Sequence, residues 1–536
     1  MRLPFRLPAA FSCLMLLVAA GTPATAQATL QDRGAAIRAF LQPAHVPGRL
    51  NGVVLAAEED TVVIREARGL ARFTTKEPLA PDAIFQTASA AKPFTATAVL
   101  QLRDAGLLGL EDSVADHLPG FPWPNIRVRH LLNHTSGLPD LELFEPLVAR
   151  EPDRVITGAD LIPALAAWER PLSAHPGDVF RYSNVNYQLL ALIVETVSGR
   201  PFAGYMRENI FQPAGMRSTW VLGDPVAAAL PAPVANHVHA VMFRDTPEDV
   251  ATLNLPDSRA MRPYRYEGYN LGSTVGDQNL FTTVDDLERF DRALREGRIL
   301  SLASQADAYT PTRLNDGAEY LDAEVYRIYQ ARCSYGLGWE VCDHPSFGRI
   351  AGHSGYNRGI ATLFYRNPGR RQVIAMFDNG GGVDFADRAA SVANLLNGAA
   401  ALPISSQRSL TRAFGSRLVE HGPVPALIFF NAHRADIRNW GFTAPGLNRL
   451  GYDLLHNGYP ALAEEVFRLN VTLHPEAGSW YDSWGDALHA MGRTADAISL
   501  YRRTLELRPD ANATAAKLQA LEPAGNSEES PRSASD

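Results

Sequence analysis

The chain has 536 residues, a net charge of −8, 46% apolar and 20% charged residues, a globular composition that excludes collagen-like, coiled-coil and low-complexity classes. At that length two or three folding units are expected, each large enough to bury a core. The mildly acidic balance, without a basic run, argues against a nucleic-acid surface and leaves small molecules or peptides as partners.

Arg2 and Arg6 precede an apolar run from Ala9 to Ala20, and Ala24-Thr25-Ala26 follows. This reads as a signal peptide over residues 1–26, because the run is too short to span a bilayer and the small residues suit cleavage. No later segment approaches ~18 uninterrupted apolar residues, so no transmembrane anchor is expected after cleavage. The mature chain is expected to be periplasmic or secreted.

Asp32–Leu41 has helical apolar spacing, and Gly52–Ala56 with Thr61–Arg65 reads as a hairpin closed by an acidic turn. Ala88–Arg103 reads as a helix with Phe94, Ala98, Val99 and Leu102 on one face and Ser89 at its start. A long region of short helices, such as Tyr187–Val197, predicts a mainly helical subdomain. Its pattern-free loops, Pro139–Pro171 and Val221–Asn279, are expected to shape the pocket. Cys333 and Cys342 lie in a strand–turn–strand stretch, where a disulfide and a pair of unbonded buried thiols fit equally well. Strands return at Ile360–Tyr365 and Gln372–Phe377 around the turn Asn367-Pro368-Gly369, and a helix over Phe385–Leu396 follows. Strands at both ends with helices between predict an α+β domain over 30–400, its antiparallel sheet completed by the chain's return and flanked by helices.

Residues 401–445 read as a linking and packing segment. Beyond it, Gly451 and Gly485 stand 34 apart, and the same offset relates Ala463 to Ala497, Phe467 to Tyr501 and Pro475 to Pro509. Residues 446–520 therefore resemble tetratricopeptide repeats, which implies an all-α unit and a surface for a protein partner, or else a structural extension. Two repeats cannot bury a core alone, so they are expected to lean on the catalytic domain or on a helix from Ala511 to Leu521. The tail, 521–536, is expected to be disordered.

Three lysines, Lys76, Lys92 and Lys517, stand among 50 basic residues. Arginine keeps its proton in a protein and lysine can lose it, so each lysine is a candidate for proton chemistry. Ser89-Ala90-Ala91-Lys92 places a hydroxyl and an amine one helical turn apart, the arrangement acyl transfer needs for a nucleophile and its base. Tyr182-Ser183-Asn184 would send a phenol and an amide to one side of an extended segment. Gly352-His353-Ser354-Gly355 stands just before the strand at Ile360.

In this order the three motifs resemble the serine β-lactamase and penicillin-binding protein superfamily, specifically its class C-like branch of D,D-peptidases, D-aminopeptidases and esterases. Val128–Pro139 and Tyr335-Gly336-Leu337-Gly338-Trp339 carry the same likeness. The resemblance implies that Ser89 attacks a carbonyl, Lys92 accepts its proton, and Tyr182 relays protons to the leaving group or the deacylating water. It also implies substrate-binding and orienting roles for Asn184, His353, Gly355 and Tyr356, with the amides of Ser89 and Tyr356 meeting the oxyanion. Neither a cofactor nor a metal is implied. His353 stands where many β-lactamases carry lysine, which weakens the case for β-lactam hydrolysis and suits peptidases and esterases, acting on an amide or an ester.

The rival readings have less support. Gly352-His353-Ser354-Gly355-Tyr356 breaks the Gly-x-Ser-x-Gly spacing of an α/β-hydrolase elbow. His130 and His134 are spaced like a zinc pair but lack the following Glu and a third ligand, so packing or loop anchoring is expected of them. A catalytically idle fold that recruits a partner through the repeats is the alternative of another class, and it leaves Lys92 without a chemical reason.

Overall fold

The computed structural model describes residues 28–42, 50–238, 241–244, 247–249, 266, 270–381, 384–404 and 407–521. The expected signal peptide and the tail beyond Leu521 lie outside the described residues.

After α1 (Leu30–Leu41), strands β1 (Gly52–Glu58) and β2 (Thr61–Arg68) form the first hairpin. Its two turn residues, Glu59 and Asp60, both adopt the left-handed region, with φ of 49° and 68°. That is costly for residues with side chains. The Asp60 carboxylate offsets part of the cost by accepting from Arg295 at 2.7 Å and Arg371 at 2.5 Å.

The helical region supplies α2 (Lys92–Asp104), α3 (Asn184–Ser198) and α4 (Val284–Arg295). The chain then returns through β3 (Arg332–Tyr335), β4 (Glu340–His344), β5 (Gly348–Asn357), β6 (Ile360–Asn367) and β7 (Gln372–Asp378), and closes with α5 (Phe385–Leu396). The seven strands form one antiparallel sheet in the order β3-β4-β5-β6-β7-β1-β2, so β1 pairs with β7 and the last strand meets the first.

Both faces of this sheet are covered, which is why its central strands read as continuous apolar runs. Along β1, Val53, Leu55 and Ala57 pack with Phe94 and Val99 of α2 and Phe290 of α4. Val54 and Ala56 point the other way, to Ile37 of α1 and Val392 and Leu396 of α5. Helix α2 is buried on every side from Lys92 to Leu100 rather than along one stripe, since α3 and neighbouring helices cover the face turned away from the sheet.

Cys333 and Cys342 are register partners across β3 and β4, with Cα atoms 4.0 Å apart, and they form a disulfide.

The segment expected to link the two units is itself largely helical, with α6 (Leu410–His421) and α7 (Pro423–His433). Helices α8 (Ala444–His456), α9 (Pro460–Leu473), α10 (Gly478–Ala490), α11 (Thr494–Leu507) and α12 (Asn512–Leu521) follow. The 34-residue offset has a packing counterpart. A Cβ on Gly451 would fall 2.3 Å from the Phe467 ring, and one on Gly485 would fall 2.6 Å from the Tyr501 ring. Glycine thus lets α8 approach α9, and α10 approach α11, through an aromatic of the partner helix. The core of these helices also takes in Val241 and Phe243, which precede β3 by a long way in the chain.

Candidate active site

Ser89 does not open an α-helix. It sits in a 3₁₀ turn over Ala88–Ala91 that runs directly into α2. A 3₁₀ turn has three residues per turn, so positions i and i+3 eclipse, and Lys92 stands beneath Ser89 more closely than α-helical spacing requires. Entry to the turn is fixed from two sides, with Thr87 N–H donating to Leu280 O at 2.9 Å and Thr362 Oγ1 donating to Thr87 O at 2.7 Å. Ala88 is forced to φ +47° there, a left-handed conformation adjoining the nucleophile that alanine adopts only under constraint.

Lys92 is fully buried, and its Nζ lies 3.1 Å from Ser89 Oγ, 2.9 Å from Asn184 Oδ1 and 3.2 Å from the backbone oxygen of Asp277. The last two atoms can only accept. They take two N–H groups, so once the amine loses its proton the lone pair is left facing the Ser89 hydroxyl. Asn184 is held in this orientation by Asp140, which accepts from Asn184 N–H at 2.6 Å and from Nδ2 at 3.2 Å. Burial pulls Lys92 down from its ordinary 10.5 to about 8, against the opposing charges of Asp277, Asp140 and Glu340.

Tyr182 and Asn184 reach the site in a different way from the extended segment expected. Asn184 is the first residue of α3, and Ser183 before it is extended. The Tyr182 ring lies over Lys92, with Nζ 4.8 Å from its centroid. Burial pushes the Tyr182 phenol well above its ordinary range, with its hydrogen bond to Ser89 pulling the other way. Tyr182 therefore keeps its proton and is a donor near neutral pH.

His134 anchors this segment. Its ring stacks on Tyr182 at 4.2 Å, its Nδ1 accepts from Ser183 N–H at 3.2 Å, and its carbonyl accepts from Arg181 N–H at 2.8 Å. His130 instead accepts from Arg127 N–H at 3.1 Å at the start of its own short helix.

The third motif precedes the strand at Ile360, as expected, and is itself part of a strand, β5. His353 is 1% exposed, and its Nδ1 lies 2.5 Å from Ser354 O, an atom that can only accept. The Nδ1–H therefore donates, Nε2 is bare, and it accepts from the Tyr335 hydroxyl at 2.9 Å. Burial lowers His353 to about 3, which keeps the ring neutral. Glu340, buried in β4, accepts from Ser354 N–H at 2.8 Å, Ser354 Oγ at 2.7 Å and Tyr329 at 2.6 Å. Gly355 brings the strand against the serine turn, since a Cβ there would meet Thr87 O at 2.7 Å and Ala90 N at 3.0 Å. Tyr356 beside it is 68% exposed.

The motifs thus converge on Ser89 and Lys92. Asp140, Asp277, Tyr335 and Glu340 join them without having been singled out as functional. Tyr335 opens the Tyr-Gly-Leu-Gly-Trp segment and Asp140 follows Val128–Pro139, so both adjoin segments that carried the likeness. Asp277 had no local signal.

The family model described as beta-lactamase matches residues 35–397. The chain belongs to the beta-lactamase family. Within it, the chain is 34% identical over 333 residues to penicillin-binding protein 4* of Bacillus subtilis (strain 168), covering 62% of this chain and 68% of that protein. The family fold recurs in the crystal structure of a penicillin binding protein from Bacillus halodurans, with a TM-score of 0.52, 24% identity, and 66% of this chain and 97% of that one covered. It recurs again in D-amino acid amidase from Ochrobactrum anthropi SV3, with a TM-score of 0.53, 23% identity, and 68% and 99% coverage. Members of this family related to the chain are acyl-enzyme serine hydrolases. Among the described residues no helix is long and apolar enough to cross a membrane.

Proposed function

We propose that the chain is an exported serine hydrolase of the class C-like branch, which cleaves an amide or ester of a small D-residue peptide or related acyl compound through an acyl-enzyme. The observation that carries this reading is the buried Lys92 amine, 3.1 Å from Ser89 Oγ with its other hydrogens committed to carbonyl oxygens. Ser89 Oγ attacks the substrate carbonyl as its proton passes to Lys92 Nζ, and the amides of Ser89 and Tyr356 receive the oxyanion. Tyr182, a protonated phenol above Lys92, gives its proton to the departing group and takes one back through Lys92. Water then adds to the acyl carbon as one of its protons passes to the neutral Lys92 amine, and the ester to Ser89 breaks as that proton is returned to Ser89 Oγ. Asn184 orients Lys92, while His353, neutral and enclosed, orients Tyr335 and the strand that carries Gly355. A buried neutral imidazole supplies no cation for a substrate carboxylate, which favours an amide or ester over a β-lactam as the turned-over substrate.

The likeness of residues 446–520 to tetratricopeptide repeats supports a docking surface for a peptide or protein partner. The amino-terminal leader supports a periplasmic or secreted location.

Intact-protein mass spectrometry after exposure to a fluorescent penicillin and, separately, a fluorophosphonate tests the proposal, with Ser89→Ala as control. Adducts from both reagents, lost in the variant, are expected of a penicillin-type nucleophile. Labelling by fluorophosphonate alone narrows the substrate to esters or amino-terminal amides, and labelling by neither overturns the enzyme reading.

A further inference from the structure

Lys92 donates to a backbone oxygen whose own side chain is a buried acid. Asp277 is 2% exposed, and its Oδ1 has no hydrogen-bond partner. Leaving a carboxyl oxygen buried and unmatched is costly, so the position calls for a compensating charge nearby. The residue is wedged where the two helices that bear the motifs meet. Thr95 Oγ1 of α2 donates to Gly276 O at 2.7 Å, and Gly276, at φ +98°, lies so close to α3 that a Cβ on it would fall 2.3 Å from Tyr187 O. The backbone that carries Asp277 is thus held against both α2 and α3.

We propose that Asp277 is the positioning residue of Lys92: its carbonyl aims the amine at Ser89, and its carboxyl acts as the buried counter-charge for the ammonium formed during acylation.

This rests on the Ser89–Lys92 reading and adds a proton ledger to it. When Ser89 Oγ bonds to the acyl carbon, its proton moves to Lys92 Nζ and creates a cation at a fully buried position. An ionised Asp277 balances that cation, and returning the proton to the leaving group through Tyr182 restores the neutral amine. The charges acting on Lys92 come from every element around it: Asp277 ahead of α4, Asp140 beside the start of α3, and Glu340 from β4. His134 and His353 face it as neutral rings. Asp277 is the largest of the three attractive charges. Reciprocally, Lys92 is the largest influence opposing the burial that raises Asp277 to about 7, and Gln188 of α3 adds a hydrogen bond in the same sense. Two groups coupled in this way titrate as a pair rather than singly.

The scarcity of lysine makes the pair directly observable. In the full mature chain labelled with ¹³C at lysine Cε, three lysine signals are expected, and Lys76→Arg and Lys517→Arg variants identify that of Lys92. In the unmutated protein the Lys92 signal is expected to titrate in two steps, one of them Asp277's. Asp277→Asn keeps the carbonyl and removes the charge. Its Lys92 signal is expected to follow one step displaced by about one unit or more to lower pH, the scale for losing a close opposite charge. If that variant does not fold, Asp277→Ser removes the same charge in less volume. A single-step curve in the unmutated protein, or an unmoved midpoint in the folded variant, overturns the proposal. These readouts need no turnover. Failure of Ser89 to label would sink the hydrolase reading, while an unchanged Lys92 titration would sink only the role of Asp277.

Discussion

Lys92 determines the pH at which the site works. Acylation needs the neutral amine, and burial lowers Lys92 to about 8, so the acylation rate should rise with pH through that value and level off above it. Stopped-flow acylation by an activated ester across the neutral to alkaline range measures the limb. Lys92→Arg keeps a cation that cannot take the proton, and is expected to slow acylation by about 10²–10⁴-fold with the fold retained. Unchanged acylation in that variant would remove Lys92 as base. His134 makes a second prediction. His134→Phe keeps a ring against Tyr182 but deprives Ser183 N–H and Asn186 of the Nδ1 they share at 3.2 and 3.1 Å. A loss of about 1–3 kcal/mol of stability is expected from the unmatched buried donors, read by denaturant unfolding, together with a lower kcat as Tyr182 loses its support. The nucleophile and base were legible in the sequence because their relation is local, three residues within one turn. Asp277 lies 185 residues from Lys92 and reaches it only through the packing of α2 against α3, which no local pattern encodes.

At the scale of elements, apolar runs and turn residues place β1, β2, β6, β7 and α5 with their ends nearly right, because both faces of the sheet are buried and the turns are short, whereas β5, rich in glycine and polar residues, carries no such run. The start of α2 was misread for a physical reason. A 3₁₀ turn and the first turn of an α-helix share the same spacing of small residues, and the choice between them is made by Thr87, tied to Leu280 and Thr362 from distant parts of the chain. The same crowding gives Gly355 its place. Strand β5 touches the serine turn there, and Gly355→Ala would press a methyl against Thr87 O at 2.7 Å and Ala90 N at 3.0 Å, main-chain atoms that cannot step aside alone. We expect this variant to lose most fluorophosphonate labelling while circular dichroism shows the sheet intact. Full labelling would mean that the strand can shift without disturbing Ser89. In the carboxy-terminal helices, Gly485→Ala brings a methyl within 2.6 Å of the Tyr501 ring. It should destabilise that unit by about 1–3 kcal/mol in thermal unfolding without altering labelling of Ser89.

Across the whole molecule, one short segment ties the catalytic layers to the carboxy-terminal helices. His237, fully buried, donates its N–H to Asn379 O at 3.0 Å just beyond β7. A few residues on, Met242 N–H donates to Asp453 Oδ2 at 2.8 Å, and Val241 and Phe243 enter the core of α6, α8 and α9 at 5% exposure each. Phe243 also meets Tyr459 edge to face at 5.8 Å. The segment comes from a loop that gave no sequence pattern, since its apolar residues are spaced for a foreign core rather than for a strand or helix of their own. The tandem helix pairs thus bury apolar side chains supplied by the domain they follow. Phe243→Ala should therefore open the contact between the units before it affects the chemistry. Truncating a buried phenylalanine costs about 3–5 kcal/mol where the surroundings do not collapse, and the cost here falls on the helical unit. Hydrogen exchange followed by mass spectrometry is expected to show faster exchange in α6, α8 and α9 of the variant. Exchange in α2 and α3, and labelling of Ser89, should stay at the level of the unmutated chain. Faster exchange confined to the catalytic layers, with the helices protected as before, would mean that the helical unit stands without the segment and that Phe243 serves the catalytic domain instead.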